Sequence, residues 1–241
     1  MAEQRSAVVL GARNLGGAVA DRLLASGWRV AGVARSEDTL TALRGRGALA
    51  IQADAADPES LRDALTEARS AHQGLDLVVN AVTAYRAPAE GPFGGGPLAE
   101  ATLDGFRGWA VAVAEQAFVF LSEGARALRE AGGGTLIQVT GGSARRAVAG
   151  RGPWAAGAFA ARALVQAAAQ ELRAEGIHVA LLVVDAIIES PKTAARTHDV
   201  PRDALADMAE IAAAVEYLAL QGARSLTHEL QLTPAGERWV P

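Results

Sequence analysis

The sequence of 241 residues contains no cysteine, and this absence excludes several kinds of site at once. A chain without thiols forms no disulfide, holds no metal through thiolates and uses no cysteine nucleophile. The HExxH and GxSxG patterns are also missing, and the four histidines lack the spacing of a metal-binding motif. We therefore expect no metal site.

Long apolar runs and an excess of positive charge are missing as well. No stretch reaches the roughly 18 apolar residues that a transmembrane helix needs. The first residues, MAEQRSAVVLG, lack the basic and then apolar form of a signal peptide. A net charge of −4 gives no electrostatic reason to bind nucleic acid or an anionic membrane. We expect a soluble, cytoplasmic protein without either kind of partner.

Aliphatic residues, by contrast, are plentiful: half of the chain is hydrophobic, although only 5% of it is aromatic. Short apolar runs alternate with helical patterns at intervals of roughly 20–25 residues, which indicates a parallel sheet with right-handed crossovers. The runs that we interpret as strands are 7–10, 28–34, 48–53, 75–79, 136–139, 178–184 and 229–232. The sequence thus predicts a single α/β domain over residues 1–241.

Two segments interrupt this alternation. Residues 85–97 (YRAPAEGPFGGGP) contain three prolines and four glycines, which rule out a regular element. Since the alternation resumes directly afterwards, we expect a mobile flap beside the site and no linker between domains. Residues 185–203 form a second loop near the site. Around these loops we expect long helices over about 98–131, as one helix or as two pieces around Gly105 and Gly108, from 153 to about 175 and over 204–220.

Residues 134–158 (GTLIQVTGGSARRAVAGRGPWAAGA) join an apolar strand to a Gly-Gly turn, an arginine-rich loop and a helix opened by Pro153. In a parallel sheet, the carboxyl end of such a strand is where chemistry is placed. The stretch resembles the active-site segment of the short-chain dehydrogenase/reductase family, in which the strand ends in Ser and a Tyr-x-x-x-Lys motif follows. The resemblance covers nearly the whole chain and implies a Rossmann-type, doubly wound parallel sheet.

The residues that carry the family's chemistry are replaced. The Ser position falls on Gly141, the Tyr position on Trp154 and the Lys position on Ala158, while the family's helix Asn falls on Ala114. An indole N–H donates a hydrogen bond but cannot exchange a proton near neutral pH. General acid–base catalysis typically contributes about 10²–10⁴-fold. The resemblance thus implies an atypical member that is unable to carry out ordinary carbonyl reduction.

The turn after the first strand reads GARNLGG, and glycine there lets the backbone approach a pyrophosphate at a helix N-terminus. The alternative is a tight strand-to-helix connection. Arg35 directly follows the second strand, where a guanidinium favours the 2′-phosphate of NADP and an acid would favour NAD. A solvated surface arginine is the alternative there. We expect NADP(H), with NAD(H) or no cofactor as alternatives.

The resemblance assigns two further residues to the cofactor. Asp54 falls at the adenine edge, although it could equally cap a turn, and Asn80 falls at the floor of the cofactor cleft. The full set of cofactor-binding candidates is Gly11, Arg13, Asn14, Leu15, Gly16, Arg35, Asp54, Ala55, Asn80 and Ala81.

A carboxylate stands where the family has none. After the sixth strand the family shows Pro-Gly, whereas this chain has Val184-Asp185. Asp185 is a candidate general base or a group that repels the pyrophosphate, and the alternative to both is a carboxylate that caps backbone N–H groups. The other catalytic candidates are Ser143 and Glu189. The candidates for the substrate pocket are Tyr85, Gly141, Trp154 and Ile187.

Three arginines, Arg145, Arg146 and Arg151, lie between the fifth strand and its helix. They could hold the carboxylate or phosphate of an anionic small-molecule ligand, or they could belong to a solvated loop.

Two classes of function follow from these observations. The chain could be an enzyme: a reductase whose proton comes from substrate or water, or a lyase, isomerase or cyclase that uses Asp185, Glu189 or Ser143. It could instead be a non-catalytic partner subunit of an active relative. The flap and the polar loops favour the enzyme, because a non-catalytic subunit does not need a pocket bordered by polar loops.

The helix that follows Pro153 carries small residues, among them Ala156, Ala160, Ala163 and Ala167. Such a face allows helices to approach closely, and relatives in this family dimerise through the equivalent helices. We expect a homodimer or homotetramer, with a hetero-oligomer containing an active relative as an alternative. The other alternative is that the small residues pack on the sheet.

Overall fold

A computed structural model describes residues 4–82 and 86–237, and it contains one seven-stranded parallel sheet. The strands of this sheet are β1 (Ser6–Leu10), β2 (Arg29–Ala34), β3 (Leu49–Gln52), β4 (Leu77–Asn80), β5 (Gly134–Gly141), β6 (Ile177–Val184) and, last along the chain, β9 (Glu229–Leu232). Their spatial order is β3-β2-β1-β4-β5-β6-β9. Two short strands, β7 (Ile187–Ile188) and β8 (Leu205–Ala206), pair in parallel outside the sheet.

Helices cover both faces of the sheet. They are α1 (Leu15–Ala25), α2 (Glu37–Gly45), α3 (Pro58–His72), α4 (Leu103–Phe106), α5 (Ala112–Ala131), α6 (Gly152–Leu172), α7 (Ala194–Thr197) and α8 (Met208–Ala219). Successive strand residues face opposite sides. Val8 and Leu10 pack with α3, α5 and α6, whereas Ala7 and Val9 pack with α1, α2 and α8. The predicted doubly wound, single-domain α/β fold is confirmed.

The local signals explain several of these elements. All residues of β1 and β6 are buried, which is why both appear in the sequence as mostly apolar runs. Helix α3 begins with Pro58, and the carboxylate of Asp57 accepts a hydrogen bond from the backbone N–H of Ser60 at 2.8 Å.

The predicted helix over 98–131 was wrong at its start. It begins at Leu103, because the Thr102 hydroxyl accepts a hydrogen bond from the N–H of Gly105 and caps the chain there. Between α4 and α5 the helix continues through a π turn, Arg107–Val111. The last helix also starts later than predicted, at Met208, because Asp207 caps it.

The chain reverses its winding direction at β1. Helix α1 leads from β1 to β2 on one side, whereas β4 pairs with β1 on the other side. In such sheets a crevice opens beyond the carboxyl ends of the two strands where the order reverses. Within the described parts of the chain, no helix is long and apolar enough to cross a membrane.

Candidate functional site

A cleft of about 830 Å³ opens at this switch point. The ends of β1, β4, β5 and β6 and the loops that follow them form its floor and walls. Of the residues expected to bind a cofactor, the cleft is lined by Gly11, Arg13, Asn14, Leu15, Arg35, Asp54, Ala55 and Ala81. The tertiary structure thus gathers most of that set in one place.

The glycine turn is shaped by close backbone packing. Gly11 has a φ of +75°, and a Cβ added there would lie 2.9 Å from the backbone nitrogen of Val82. A Cβ on Gly16 would lie 2.6 Å from the carbonyl oxygen of Gly11. Gly16 therefore packs against the backbone of the turn and is not among the residues that line the cleft. Asn14 precedes α1, but its side chain does not cap the helix. The first N–H groups of the helix can therefore donate to other acceptors.

Arg35 lies at one end of the cleft, beside Asp54. Nη1 of Arg35 is 3.9 Å from Oδ2 of Asp54, and both side chains are largely exposed to solvent. Such an exposed pair contributes little to stability. Asp54 also accepts a hydrogen bond from the N–H of Ala56, as a turn-capping carboxylate does. Arg35 is thus held loosely and is accessible from the cleft.

Asn80 lies beneath the floor, where it is fully buried. Its Nδ2 donates to Oε1 of Gln116 and to Oε1 of Gln138, each at 2.8 Å. Gln116 and Gln138 themselves line the cleft. The sequence analysis missed both glutamines. A polar residue that interrupts an apolar pattern was the signal that could have found them. Asn80 thus positions two amides and does not itself line the cleft.

Asp185 lies in the wall, with only 8% of its surface exposed. A Cβ added to Gly142 would lie 1.7 Å from its Oδ1, so the carboxylate occupies the space that a side chain at position 142 would need. Its Oδ2 accepts a hydrogen bond from Nε2 of Gln231 at 3.3 Å. Ser143, another of the catalytic candidates, also lines the cleft.

Trp154 is part of the wall and leaves the cleft open. It packs against Phe93 and Trp109, with ring centroids 5.6 and 5.7 Å away. The flap residues bring Phe93 to this place, since the N–H of Trp154 donates to the carbonyl of Gly94 at 3.2 Å. Gly141 and Ile187 also line the cleft, whereas Tyr85 lies outside the described residues.

The four positions to which the resemblance assigns the family's catalytic residues are placed differently. Gly141 and Trp154 line the cleft. Ala158 is buried in α6, and Ala114 is half-buried in α5. The residues of α5 that reach the cleft are Val113 and Gln116.

The charges around the cleft are predominantly positive, although the chain is acidic. The lining includes six basic and three acidic side chains: Arg13, Arg35, Arg146, Arg151, Lys192 and Arg196, against Asp54, Asp185 and Glu237. Arg145 is turned away and bonds to Glu229 at 2.7 Å. A cleft lined mainly by one sign of charge concentrates ligands of the opposite sign.

Glu189 lies away from the main cleft. It borders a separate, shallow hollow of about 770 Å³ and pairs with Arg202 at 3.2 Å. Among residues 4–82 and 86–237, no group of three potential metal ligands is present.

Comparisons with known proteins agree with this arrangement. A family model described as short chain dehydrogenase matches residues 5–200. No curated protein matches the chain.

Solved structures extend the likeness over nearly all of the chain. A short-chain type dehydrogenase/reductase from Mycobacterium ulcerans has a TM-score of 0.82 at 22% identity, and the match covers 96% of this chain and 89% of that one. A metagenomic short-chain oxidoreductase in complex with NADP has a TM-score of 0.74 at 24% identity, covering 97% and 98%. An alcohol dehydrogenase from Thermococcus sibiricus, complexed with 5-hydroxy-NADP, has a TM-score of 0.79 at 22% identity, covering 99% and 100%. At these identities the likenesses show the fold alone.

Proposed function

The chain belongs to the short-chain dehydrogenase family, and we propose that it is an atypical member that binds NADP(H) but does not perform the family's tyrosine-dependent carbonyl reduction. One observation carries this proposal. The glycine turn and Arg35 remain at one end of the cleft, while the positions that hold the family's proton donor and its lysine carry Trp154 and Ala158.

The described residues fit a dinucleotide at the glycine end of the cleft. The N-terminus of α1 lacks a side-chain cap, so its N–H groups and its helix dipole suit a pyrophosphate. Arg13 and Arg35 would hold a 2′-phosphate through charge-assisted hydrogen bonds. Two of the similar structures were solved with NADP or 5-hydroxy-NADP, which supports the same choice of cofactor.

The other end of the cleft lacks the means to move a proton in the family's way. A bound nicotinamide supplies or accepts a hydride, and the reduced oxygen then needs a proton. Trp154 cannot exchange its N–H proton near neutral pH, Ala158 has no ammonium group, and Gly141 has no hydroxyl to orient a carbonyl. A reaction of this type would have to take its proton from substrate or water.

The proposal predicts a specific pattern of nucleotide affinities. We expect NADPH to bind more tightly than NADH, because only NADPH carries the phosphate that Arg35 would contact. Arg35→Ala should weaken NADPH binding about tenfold, corresponding to about 1.4 kcal/mol, and should leave NADH binding unchanged. Calorimetric titration of the purified chain measures both affinities.

Arg44→Ala is the matched control, since Arg44 is a similarly exposed arginine that pairs with Glu37 outside the cleft. It should bind both nucleotides as the parent chain does. If neither nucleotide binds at millimolar concentration, the proposal is wrong.

Asp185 supports a second candidate, a redox-independent lyase, isomerase or cyclase. Its carboxylate is nearly buried and lies in the cleft wall beside the turn where the family's serine would stand. A carboxylate in such surroundings can serve as a general base. Ser143 shares the cleft with it, whereas the position of Glu189 gives that residue no part in such chemistry.

A further inference from the structure

Three exposed basic side chains line the mouth of the cleft, and no ion pair to a carboxylate is found for them in the described part of the chain. They are Arg151, Lys192 and Arg196. Many arginines elsewhere are paired, as the bonds of Arg62 and Arg162 to glutamates show. Cations that outnumber the carboxylates of the same cleft repel each other, and a bound anion would relieve this repulsion.

Phe93 holds two of these cations in place. The guanidinium carbon of Arg151 is 5.5 Å from the centroid of its ring, and that of Arg196 is 6.0 Å from the same centroid. Such distances are typical of cation–π contacts. The ring itself is fixed by edge-on packing on Trp109, with centroids 4.9 Å apart. The two guanidinium groups therefore contact the same aromatic ring at the mouth of the cleft.

The loop that carries Lys192 and Arg196 is anchored by Thr193. Its hydroxyl donates to the carbonyl of Ile188 at 2.6 Å and accepts from the N–H of Ser190 at 3.0 Å. Thr193 is nearly buried, so these bonds are shielded from water. A loop that is held in this way loses less conformational entropy when a ligand binds.

Lys192 is the one lysine in the sequence. The lysines and arginines together number 23, and all the others are arginines. An ammonium group differs from a guanidinium in being a compact point charge with three rotatable donors. It also differs chemically, because it reacts with amine-directed reagents. The side chain is exposed, so its reactivity reports directly on the occupancy of the mouth.

The inner walls indicate what kind of anion would fit. Val113, Val139 and Ile187 give the cleft apolar surfaces, as does the ring of Trp154. Deeper in the wall, the Asp185 carboxylate would repel a second negative group. The fitting ligand has an anionic group at one end and an uncharged, apolar body.

We propose that Arg151, Lys192 and Arg196 form an anion subsite for a small organic acid, with a carboxylate or a phosphate at the mouth and an apolar body inside the cleft. This inference rests on the proposed function, in that it takes the switch-point cleft as the ligand site. It names the class of ligand that would share the cleft with the nucleotide.

The test uses the single lysine as a reporter. The full chain is treated with an acetylating, amine-directed reagent, and labelling of Lys192 and of the N-terminal amine is followed by mass spectrometry. Benzoate and phenyl phosphate are the anionic probes, and benzyl alcohol is the uncharged probe of similar size. At ten times its dissociation constant, an anionic probe should slow the labelling of Lys192 about tenfold. The N-terminal amine should be labelled at an unchanged rate.

Comparing the two anionic probes separates a carboxylate subsite from a phosphate subsite. Either preference supports the proposal. Equal protection by benzyl alcohol overturns it, because apolar contact alone would then explain the effect. An absence of protection by both anions overturns it as well.

Two variants separate this subsite from a role in holding the cofactor. Arg151→Ala and Arg196→Ala should abolish the protection of Lys192 and keep the NADPH affinity within about twofold, because the proposed function assigns the nucleotide's phosphates to Arg13, Arg35 and the N-terminus of α1. Arg202→Ala is the matched control, since Arg202 is exposed, close in sequence and outside the cleft. It should retain the protection. Circular dichroism checks that each variant is folded.

The remaining outcomes are also decisive. A loss of NADPH affinity in Arg151→Ala and Arg196→Ala that matches the loss of protection assigns these cations to the cofactor and overturns the subsite. If protection is also lost in Arg202→Ala, general charge explains it, and the subsite is overturned. Protection in a chain that binds neither nucleotide supports the subsite while the proposed function fails.

Discussion

At the scale of single residues, Asp185 and Gly142 share a space that only one side chain can occupy. The carboxylate fills the position that a Cβ on residue 142 would take, while Gly141 next to it has room to spare. Its nearest atom to an added Cβ is the carbonyl oxygen of Val184, at 3.8 Å. Glycine at position 142 and the carboxylate at position 185 therefore depend on each other.

This dependence predicts a non-additive pair of substitutions. Gly142→Ala should lower the free energy of unfolding by about 1–3 kcal/mol, as overpacking commonly does. In the background of Asp185→Ala, the same change should lower it by less than half as much, because the opposing atoms are gone. Urea denaturation of the single and double variants measures this coupling energy.

Gly141→Ala is the control for that cycle and should leave stability nearly unchanged. If Gly142→Ala proves equally harmless in the parent chain, Asp185 does not occupy the space beside the turn. Its assignment to the cleft wall would then be wrong.

At the scale of elements, glycines allow close backbone contacts on two sides of the π turn Arg107–Val111. A Cβ on Gly108 would lie 2.8 Å from the carbonyl oxygen of Arg86, at the root of the flap. On the other side, a Cβ on Gly157 of α6 would lie 2.8 Å from the carbonyl oxygen of Ala110. Since both obstacles are backbone atoms, neither contact can be relieved by moving a side chain. The turn fixes how closely the flap and α6 approach each other.

Substitution of these helical glycines should reverse the usual effect of alanine. Gly157→Ala should lower the free energy of unfolding by about 1–3 kcal/mol, because the added methyl meets the backbone of the π turn. Gly45→Ala, at the end of α2, has open space around it and should be neutral or stabilising by about 0.4–1 kcal/mol. Thermal and urea unfolding of the two variants compare them directly.

If Gly157→Ala stabilises the chain as Gly45→Ala does, α6 does not pack on the π turn this closely.

At the scale of the whole molecule, the outer faces of α5 and α6 expose apolar side chains next to small ones. Phe118 on α5 is 58% exposed and Phe159 on α6 is 42% exposed. Ala156, Ala163 and Ala167 are exposed on the same helix as Phe159, so they do not pack on the sheet. An apolar face of this kind usually marks a contact with another chain. We propose a homodimer or homotetramer that uses these two helices.

The proposal predicts the mass of the particle in solution. The parent chain should elute as a dimer or tetramer at micromolar concentration, because association would bury both phenylalanines. Phe118→Glu and Phe159→Glu should each shift it towards the monomer while circular dichroism remains unchanged. Size-exclusion chromatography with light scattering measures the mass.

Leu98→Glu is the control for these variants, since Leu98 is the most exposed of the large apolar side chains described and lies outside both helices. It should leave the oligomer intact. A monomeric parent chain contradicts the proposal.

Features that depend on neighbours along the chain could be predicted from the sequence. The alternation of strands and helices, the glycine turn at Gly11 and the cap at Asp57 are local, so the residues around each of them suffice. The assignment of the family's tyrosine and lysine positions to Trp154 and Ala158 rests on the order of residues alone and stays a prediction.

Tertiary structure alone decided which distant residues meet. Asn80, Gln116 and Gln138 come from two strands and a helix, and no local pattern joins them. Arg145 and Arg146 are adjacent in sequence, yet only the second lines the cleft, because Glu229 at the far edge of the sheet binds the first. Side-chain direction in a loop is set by partners that folding brings together, and these partners are remote in the sequence. The glycine turn of this cleft was therefore predictable, whereas the cations around Phe93 became visible only in the fold.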